Sequence, residues 1–191
     1  MKTLKSLLVL FAAVAAFAGS SLSAEQLKRV SPHETISTVF EPKAEKNRVT
    51  LVYGRPYTRD PNTGETRTIW GGKLVPSGQV WRLGSDEATL LITQKKITLG
   101  GAEIPAGAYT LFLQYEESGA AKLIVNKQIG QWGIEYDASQ DFVRVDLKKD
   151  TAEAPTDQFR MNLTANASGG GGLIKMTWGT TQYSAPIAIA K

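Results

Sequence analysis

Residues 108–126 read AYTLFLQYEESGAAKLIVN. Two runs rich in aromatic and β-branched residues, Ala108–Glu116 and Lys122–Asn126, flank Glu117-Ser118-Gly119, whose small and turn-forming residues suit a hairpin connection. This pattern predicts two antiparallel strands, and the same signature recurs outward in both directions. On the N-terminal side stand Arg48–Tyr53, Ala88–Thr93 and Lys95–Leu99, with Gly100-Gly101 as the next turn signal. On the C-terminal side stand Phe142–Lys148, Phe159–Ala165, Leu173–Trp178 and Gln182–Ile189, with Gly169–Gly172 as a hairpin loop before Leu173. Alternation in Val49/Leu51/Tyr53 and Met161/Leu163, and in Phe142/Val145/Leu147 with one slip, fits strands that bury one face. No amphipathic helix of three or more turns follows the N-terminal segment. The expected fold is all-β, an antiparallel β-sandwich, with a jelly-roll-like or barrel closure as the alternative.

The first residues have a different character. Lys2 and Lys5 precede an apolar stretch from Leu7 to Ala18, and small residues continue to Ala24, the three-part pattern of a cleavable signal peptide. The apolar stretch is well short of the roughly 20 residues a membrane span needs, so no transmembrane anchor is expected in the mature chain. Cleavage is expected between residues 18 and 24. Residues 25–45 then read as a lead segment and 46–191 as a single β-rich domain, exported to the periplasm or beyond the cell.

Composition narrows the function. The 191 residues are 42% hydrophobic and 21% charged, as in ordinary globular domains. The formal charge of +4 falls to +2 once the two signal lysines are removed, and no dense basic patch remains, so nucleic-acid binding is not expected. There is no cysteine, which excludes disulfides, thiolate metal sites and a cysteine nucleophile. His33 is the one histidine. It reads as an exposed residue beside Pro32, and paired-histidine metal chemistry has nothing to build on. No nucleotide-binding or nucleophile-elbow motif is present. Asp60-Pro61-Asn62-Thr63-Gly64-Glu65 resembles the start of a calcium loop but lacks the closing Glu, Gly71 standing in its place, and reads as a turn. Asp137 reads as the cap of a short helical turn. No metal and no cofactor are expected.

The stretch Gly54–Thr89 is the place to look for a site, because long loops that hold aromatics and arginines are often functional. Its densest part is Trp81-Arg82-Leu83-Gly84-Ser85-Asp86-Glu87. The candidate ligand-binding residues are Tyr53, Arg55, Trp70, Trp81, Arg82, Asp86 and Glu87: an indole for stacking, guanidinium forks as donors and a carboxylate as acceptor, suited to a sugar or an anion. The competing reading is a structural clasp, with Arg55 or Arg82 paired to Asp86 or Glu87 and both tryptophans in the core. Asp86 and Glu87, adjacent in extended chain, would face opposite ways and make a poor catalytic pair.

Longer motifs carry a resemblance. They are Tyr53-Gly54-Arg55-Pro56, Ile69-Trp70-Gly71-Gly72-Lys73-Leu74-Val75-Pro76, Val80-Trp81-Arg82-Leu83-Gly84, Glu87-Ala88-Thr89, Ile104–Leu111, Asn126-Lys127, Gln131-Trp132-Gly133, Tyr136-Asp137 and Asp141–Val145. In these the chain resembles the bacterial secreted family known as domain of unknown function 2911, over nearly the whole expected mature length. The resemblance implies export and a β-rich domain, and no activity. Three positions depart from the family's pattern: Asp86 stands for a usual Asn, Trp70 for a usual Phe, and Ser77 for an aromatic.

The expected function is a non-catalytic binding or interaction module of the cell envelope, acting on a small molecule or an envelope component. A carboxylate-dependent enzyme on envelope carbohydrate and a purely structural envelope protein are the alternatives.

Overall fold

The computed structural model describes residues 28–40 and 48–190; the expected signal peptide lies outside them. Ten strands are formed: β1 His33–Val39, β2 Arg48–Gly54, β3 Val80–Trp81, β4 Thr89–Thr93, β5 Ile97–Leu99, β6 Ala102–Ile104, β7 Gly107–Tyr115, β8 Ala121–Asn126, β9 Asp141–Ala165 and β10 Gly171–Ile189. All pairings between them are antiparallel, along the path β1-β2-β4-β7-β8-β9-β10-β5-β6, with β3 attached to β7. Among the described residues there is no α-helix, and no helix long and apolar enough to cross a membrane.

The all-β antiparallel class thus holds, and one continuous open sheet provides it. That sheet folds over itself. Tyr53 on β2 and Phe159 on β9, well separated along the path, meet edge to face at 5.8 Å, and the Met161 amide donates to the Tyr53 hydroxyl at 2.9 Å. Val49, Leu51 and Tyr53, the alternating set of β2, are all buried against this second layer. The residues between the layers form one apolar core that takes in β2, β4, β5, β7, β8, β9 and β10.

β7 is buried on both faces. Leu111 and Leu113 point into the main core, while Phe112 packs with Ala88, Ile124 and Tyr136 in a smaller cluster under the segment that follows β8. The hairpin expected around Glu117-Ser118-Gly119 joins β7 to β8 in register from Thr110↔Asn126 to Tyr115↔Ala121.

Two features differ from expectation. The lead segment supplies β1, an edge strand paired to β2 from His33↔Gly54 to Val39↔Arg48, so residues 33–39 are part of the sheet. The two C-terminal strand pairs are really two long strands, β9 and β10. Residues 149–158 are polar and contain Pro155, which removes the local strand signal. The ladder is irregular there, shifting register between Thr177 and Gly179 and again between Gly179 and Thr181. The slip in the Phe142 pattern has the same kind of cause: a register shift between Val125 and Asn126 puts Phe142 outside, against Tyr109 and Lys127, and Val143, Val145 and Leu147 inside.

Candidate functional site

β3 and β4 lie along the same edge of β7, Trp81 opposite Leu113 and Thr89 opposite Leu111. Seven residues, 82–88, therefore leave the sheet and return two positions further along the same partner. Leu83 and Asp86 adopt left-handed backbone, φ 49° and 65°, uncommon for side chains of their kind. The excursion is held from several sides. Thr89 Oγ1 donates to the Leu83 carbonyl at 2.7 Å, the Gly133 amide donates to the Asp86 carbonyl at 2.8 Å, and the Ala88 amide donates to the Gln131 carbonyl. Two glycines allow the close approach: a Cβ on Gly54 would lie 2.2 Å from the Ser85 carbonyl oxygen, and one on Gly133 would lie 2.5 Å from Arg82 Cδ.

The acidic residues of this excursion close on the N-terminal segment. Asp86 is 3% exposed; its two oxygens accept the amides of Val30 at 3.1 Å and Ser31 at 3.2 Å, and His33 Nε2 lies 3.2 Å from Oδ2. Both carboxylate oxygens are thus used, where an Asn could accept with one only. Glu87 takes the Arg29 fork at 2.6 to 3.1 Å and lies 3.4 Å from His33 Nε2. The hydrogen bonds from Arg29 hold the Glu87 carboxyl below its ordinary value of 4.5.

A clasp therefore exists, with partners other than the expected ones. Neither Arg55 nor Arg82 pairs with Asp86 or Glu87; Arg29 and His33 do. His33 is not an exposed terminal residue, its side chain being 15% exposed within the clasp. The two carboxylates also do not diverge. The left-handed turn at Asp86 brings both to the same imidazole nitrogen, at 3.2 and 3.4 Å. The cation on Glu87 and the two amides on Asp86 leave this pair to bind the chain's own N-terminal segment, and a carboxyl held below its ordinary range is poorly matched to donating a proton near neutrality.

A second group forms beside it. The Tyr53 hydroxyl donates to Glu34 Oε2 at 2.5 Å, and burial, followed by this bond, pushes the phenol well above its ordinary range. Arg55 Nε reaches the Phe159 carbonyl at 3.3 Å and Glu34 Oε2 at 3.5 Å. Tyr53 and Arg55 are thus tied to β1 and β9.

The aromatics are largely core. Trp81, 7% exposed, stacks on Trp178 at 5.6 Å and meets Phe159 and Trp70 edge-on. Trp70 also packs on Tyr183 and Tyr115, and its Nε1 donates to the Trp178 carbonyl at 3.4 Å. Such pairs are worth about 0.5–1.5 kcal/mol each beyond burial.

Trp81 keeps one further surface. Together with Trp178, Tyr57 and Arg82 it lines a cavity of about 160 Å³, with Arg67 and Lys73 also on the wall and no acidic residue. Arg67 is tied to the Tyr57 carbonyl at 2.6 Å and to Asp60 at 3.6 Å. Arg82 and Lys73 make no hydrogen bond or ion pair with another described residue. A larger groove of about 840 Å³ lies on the far side of Tyr57, over β9 and β10. Of the expected site residues only Arg55 reaches it. Asp60 forms the predicted turn, accepting the Asn62 amide at 2.9 Å, and Asp137 caps a 3-10 turn over Ala138–Gln140. Among the described residues no cluster of three or more metal-ligating side chains occurs.

Comparison with known proteins is informative at the level of the family. The family described as "Protein of unknown function (DUF2911)" matches residues 31–187. The chain belongs to this family. The match begins two residues before β1 and ends in β10, so it takes in Asp86, Glu87 and His33 of the clasp and every residue of the cavity wall except Val30. No curated protein and no solved structure matches the chain.

Proposed function

We propose that this protein is an exported, non-catalytic binding module of the cell envelope that holds a small anionic ligand in the cavity between Tyr57, Trp81, Trp178 and Arg82. The observation that carries the reading is the charge balance of that cavity. Three cations line it, no carboxylate does, and two of the cations, Arg82 and Lys73, have no partner among the described residues. Beside the cavity the opposite holds: Asp86 and Glu87 of the loop and Glu34 of β1 are engaged by Arg29, His33 and Arg55. A cation beside a low-dielectric aromatic wall attracts an anion more strongly than one in open water.

The size of the cavity limits the ligand. It is below the roughly 300–1,000 Å³ of sites for drug-sized molecules, so it accommodates one ring or one acidic group of a larger molecule. Half-buried Tyr57 and the exposed part of Trp81, with Trp178 fully buried behind them, favour a ring with an apolar face, and a sugar acid combines that face with a carboxylate. Titration calorimetry with glucuronate and glucose tests the reading. Glucuronate binding that weakens with salt and falls about tenfold or more in Arg82→Ala, the size of one lost charge-assisted hydrogen bond, is the expected result. Equal binding of glucose and glucuronate, or an unchanged affinity in Arg82→Ala, contradicts it. Export is tested separately by locating the full-length chain in fractionated cells, where a cytoplasmic precursor-sized product contradicts it.

A further inference from the structure

The groove over β9 and β10 has a lining that differs from that of the cavity. β9 and β10 pair there as Arg160↔Thr177, Asn162↔Lys175 and Thr164↔Leu173. Phe159 and Met161 turn into the core, so Arg160, Asn162 and Thr164 form the opposite, outward row. Arg160 and Lys175 are diagonal neighbours across the ladder, about 7 Å apart, and neither has an acidic or hydrogen-bonding partner among the described residues. The rest of the floor and wall is mainly neutral and hydrogen-bonding, with Thr156, Gln158, Thr177 and Gln182. The Thr156 hydroxyl has no hydrogen-bond partner among the described residues, a state that is rare for shielded polar groups. The acids Glu153 and Asp157 stand where the β9 ladder is irregular, and residues 158–164 extend roughly 20 Å beyond them at the usual strand rise.

We infer that this groove binds an extended acidic glycan, a chain of sugar rings carrying carboxylate or sulfate groups. Two unpaired cations side by side repel one another until an anion lies between them. Amide and hydroxyl side chains then supply the short-range donors and acceptors that sugar hydroxyls need. An acidic peptide fits less well. Peptides in extended form bind by adding to a free sheet edge and placing alternate side chains in pockets, whereas the backbone groups of β9 and β10 beneath Arg160 and Asn162 are paired to each other. The groove's cations are its own, so the inference stands apart from the cavity, although Tyr57 forms a wall of both.

The test is affinity electrophoresis and calorimetry of the full chain with polygalacturonate oligomers, neutral dextran and poly-L-glutamate. The variants are Arg160→Gln/Lys175→Gln, Asn162→Ala/Thr164→Ala and Arg82→Ala, each checked for folding by its thermal melt. Polygalacturonate is expected to bind, dextran and polyglutamate to bind at least about tenfold more weakly, and the double charge variant to lose about tenfold or more. The Asn162/Thr164 variant is expected to lose affinity in the same direction, and serves alone if the charge variant does not fold. Arg82→Ala is expected to retain polygalacturonate binding, which separates this site from the cavity. Absence of polygalacturonate binding, equal binding of polyglutamate, unchanged affinity in the folded groove variants, or loss confined to Arg82→Ala each overturns the inference.

Discussion

The excursion 82–88 carries charges of both signs, and the fold treats them differently. Its acids, Asp86 and Glu87, are enclosed by Arg29, His33 and two backbone amides; its one cation, Arg82, faces a cavity with no carboxylate in it. The two halves are neighbours in sequence and similar in composition, so composition does not separate a fastening from a site. Partner status does. A buried charge that has found its hydrogen bonds stabilises the fold or at least fixes its shape, and a cation left unmatched beside aromatic faces is available to a ligand.

Substitutions break this comparison in order of size. Removing the aromatic support of the cavity comes first: Trp81→Ala deletes a side chain stacked on Trp178 and packed on Phe159, and is expected to cost about 3–5 kcal/mol in denaturant unfolding. Next is the acid half. Asp86→Ala leaves the Val30 and Ser31 amides without their acceptor and places an alanine, which has no polar side chain to support left-handed backbone, at φ 65°. A loss of about 2–4 kcal/mol is expected, and the melting temperature falls about 2–4 °C for each kcal/mol in a chain of this size. The cation half responds in the reverse manner. Arg82→Ala is expected to change stability by no more than about 0.5–1 kcal/mol, mainly through the stem that packs on Gly133, while the ligand is lost.

Coupling sharpens the contrast further. Arg29→Ala and Glu87→Ala share a pair whose side chains are 56% and 38% exposed, so their double-mutant cycle should show a weak coupling that salt screens. Arg82→Ala and Glu87→Ala share no contact and should add. The smallest effect is on pH. Because the Glu87 carboxyl is lowered in the folded state, its contribution is present above 4.5 and disappears as pH falls through the lower folded value. Stability to denaturant should therefore fall through this window in the parent and fall less in Glu87→Gln, which has no carboxyl to titrate there.

Much of the architecture is legible in the residues themselves. The turns at Glu117-Ser118-Gly119, Gly100-Gly101 and Gly169–Gly172 and the strands between them sit where their residue types place them, because turn chemistry and alternation are local signals. β1 is not legible in this way: His33–Val39 mixes Glu, Thr and Ser with only two large apolar residues, and its place depends on pairing with β2. The length of β9 and β10 is hidden by the polar run around Pro155. In the site, Trp81 and Arg82 stand where a cavity lies, since an indole and a guanidinium in a long loop are informative by type. The partners of Asp86 and Glu87 escape a local reading because Arg29 and His33 are more than 50 residues away, and the groove escapes it because its residues belong to strands that look merely polar on one face. An alternation of Arg160, Asn162 and Thr164 opposite Lys175 and Thr177 is the signal that reveals it.

The most direct test of the central claim, that the cations rather than the acids of this loop meet the ligand, is calorimetric titration of glucuronate into the parent, Arg82→Ala and Glu87→Gln. The account predicts that Glu87→Gln binds as the parent does and that Arg82→Ala, equally folded, binds about tenfold or more weakly. Binding that survives in Arg82→Ala and is lost in folded Glu87→Gln contradicts it.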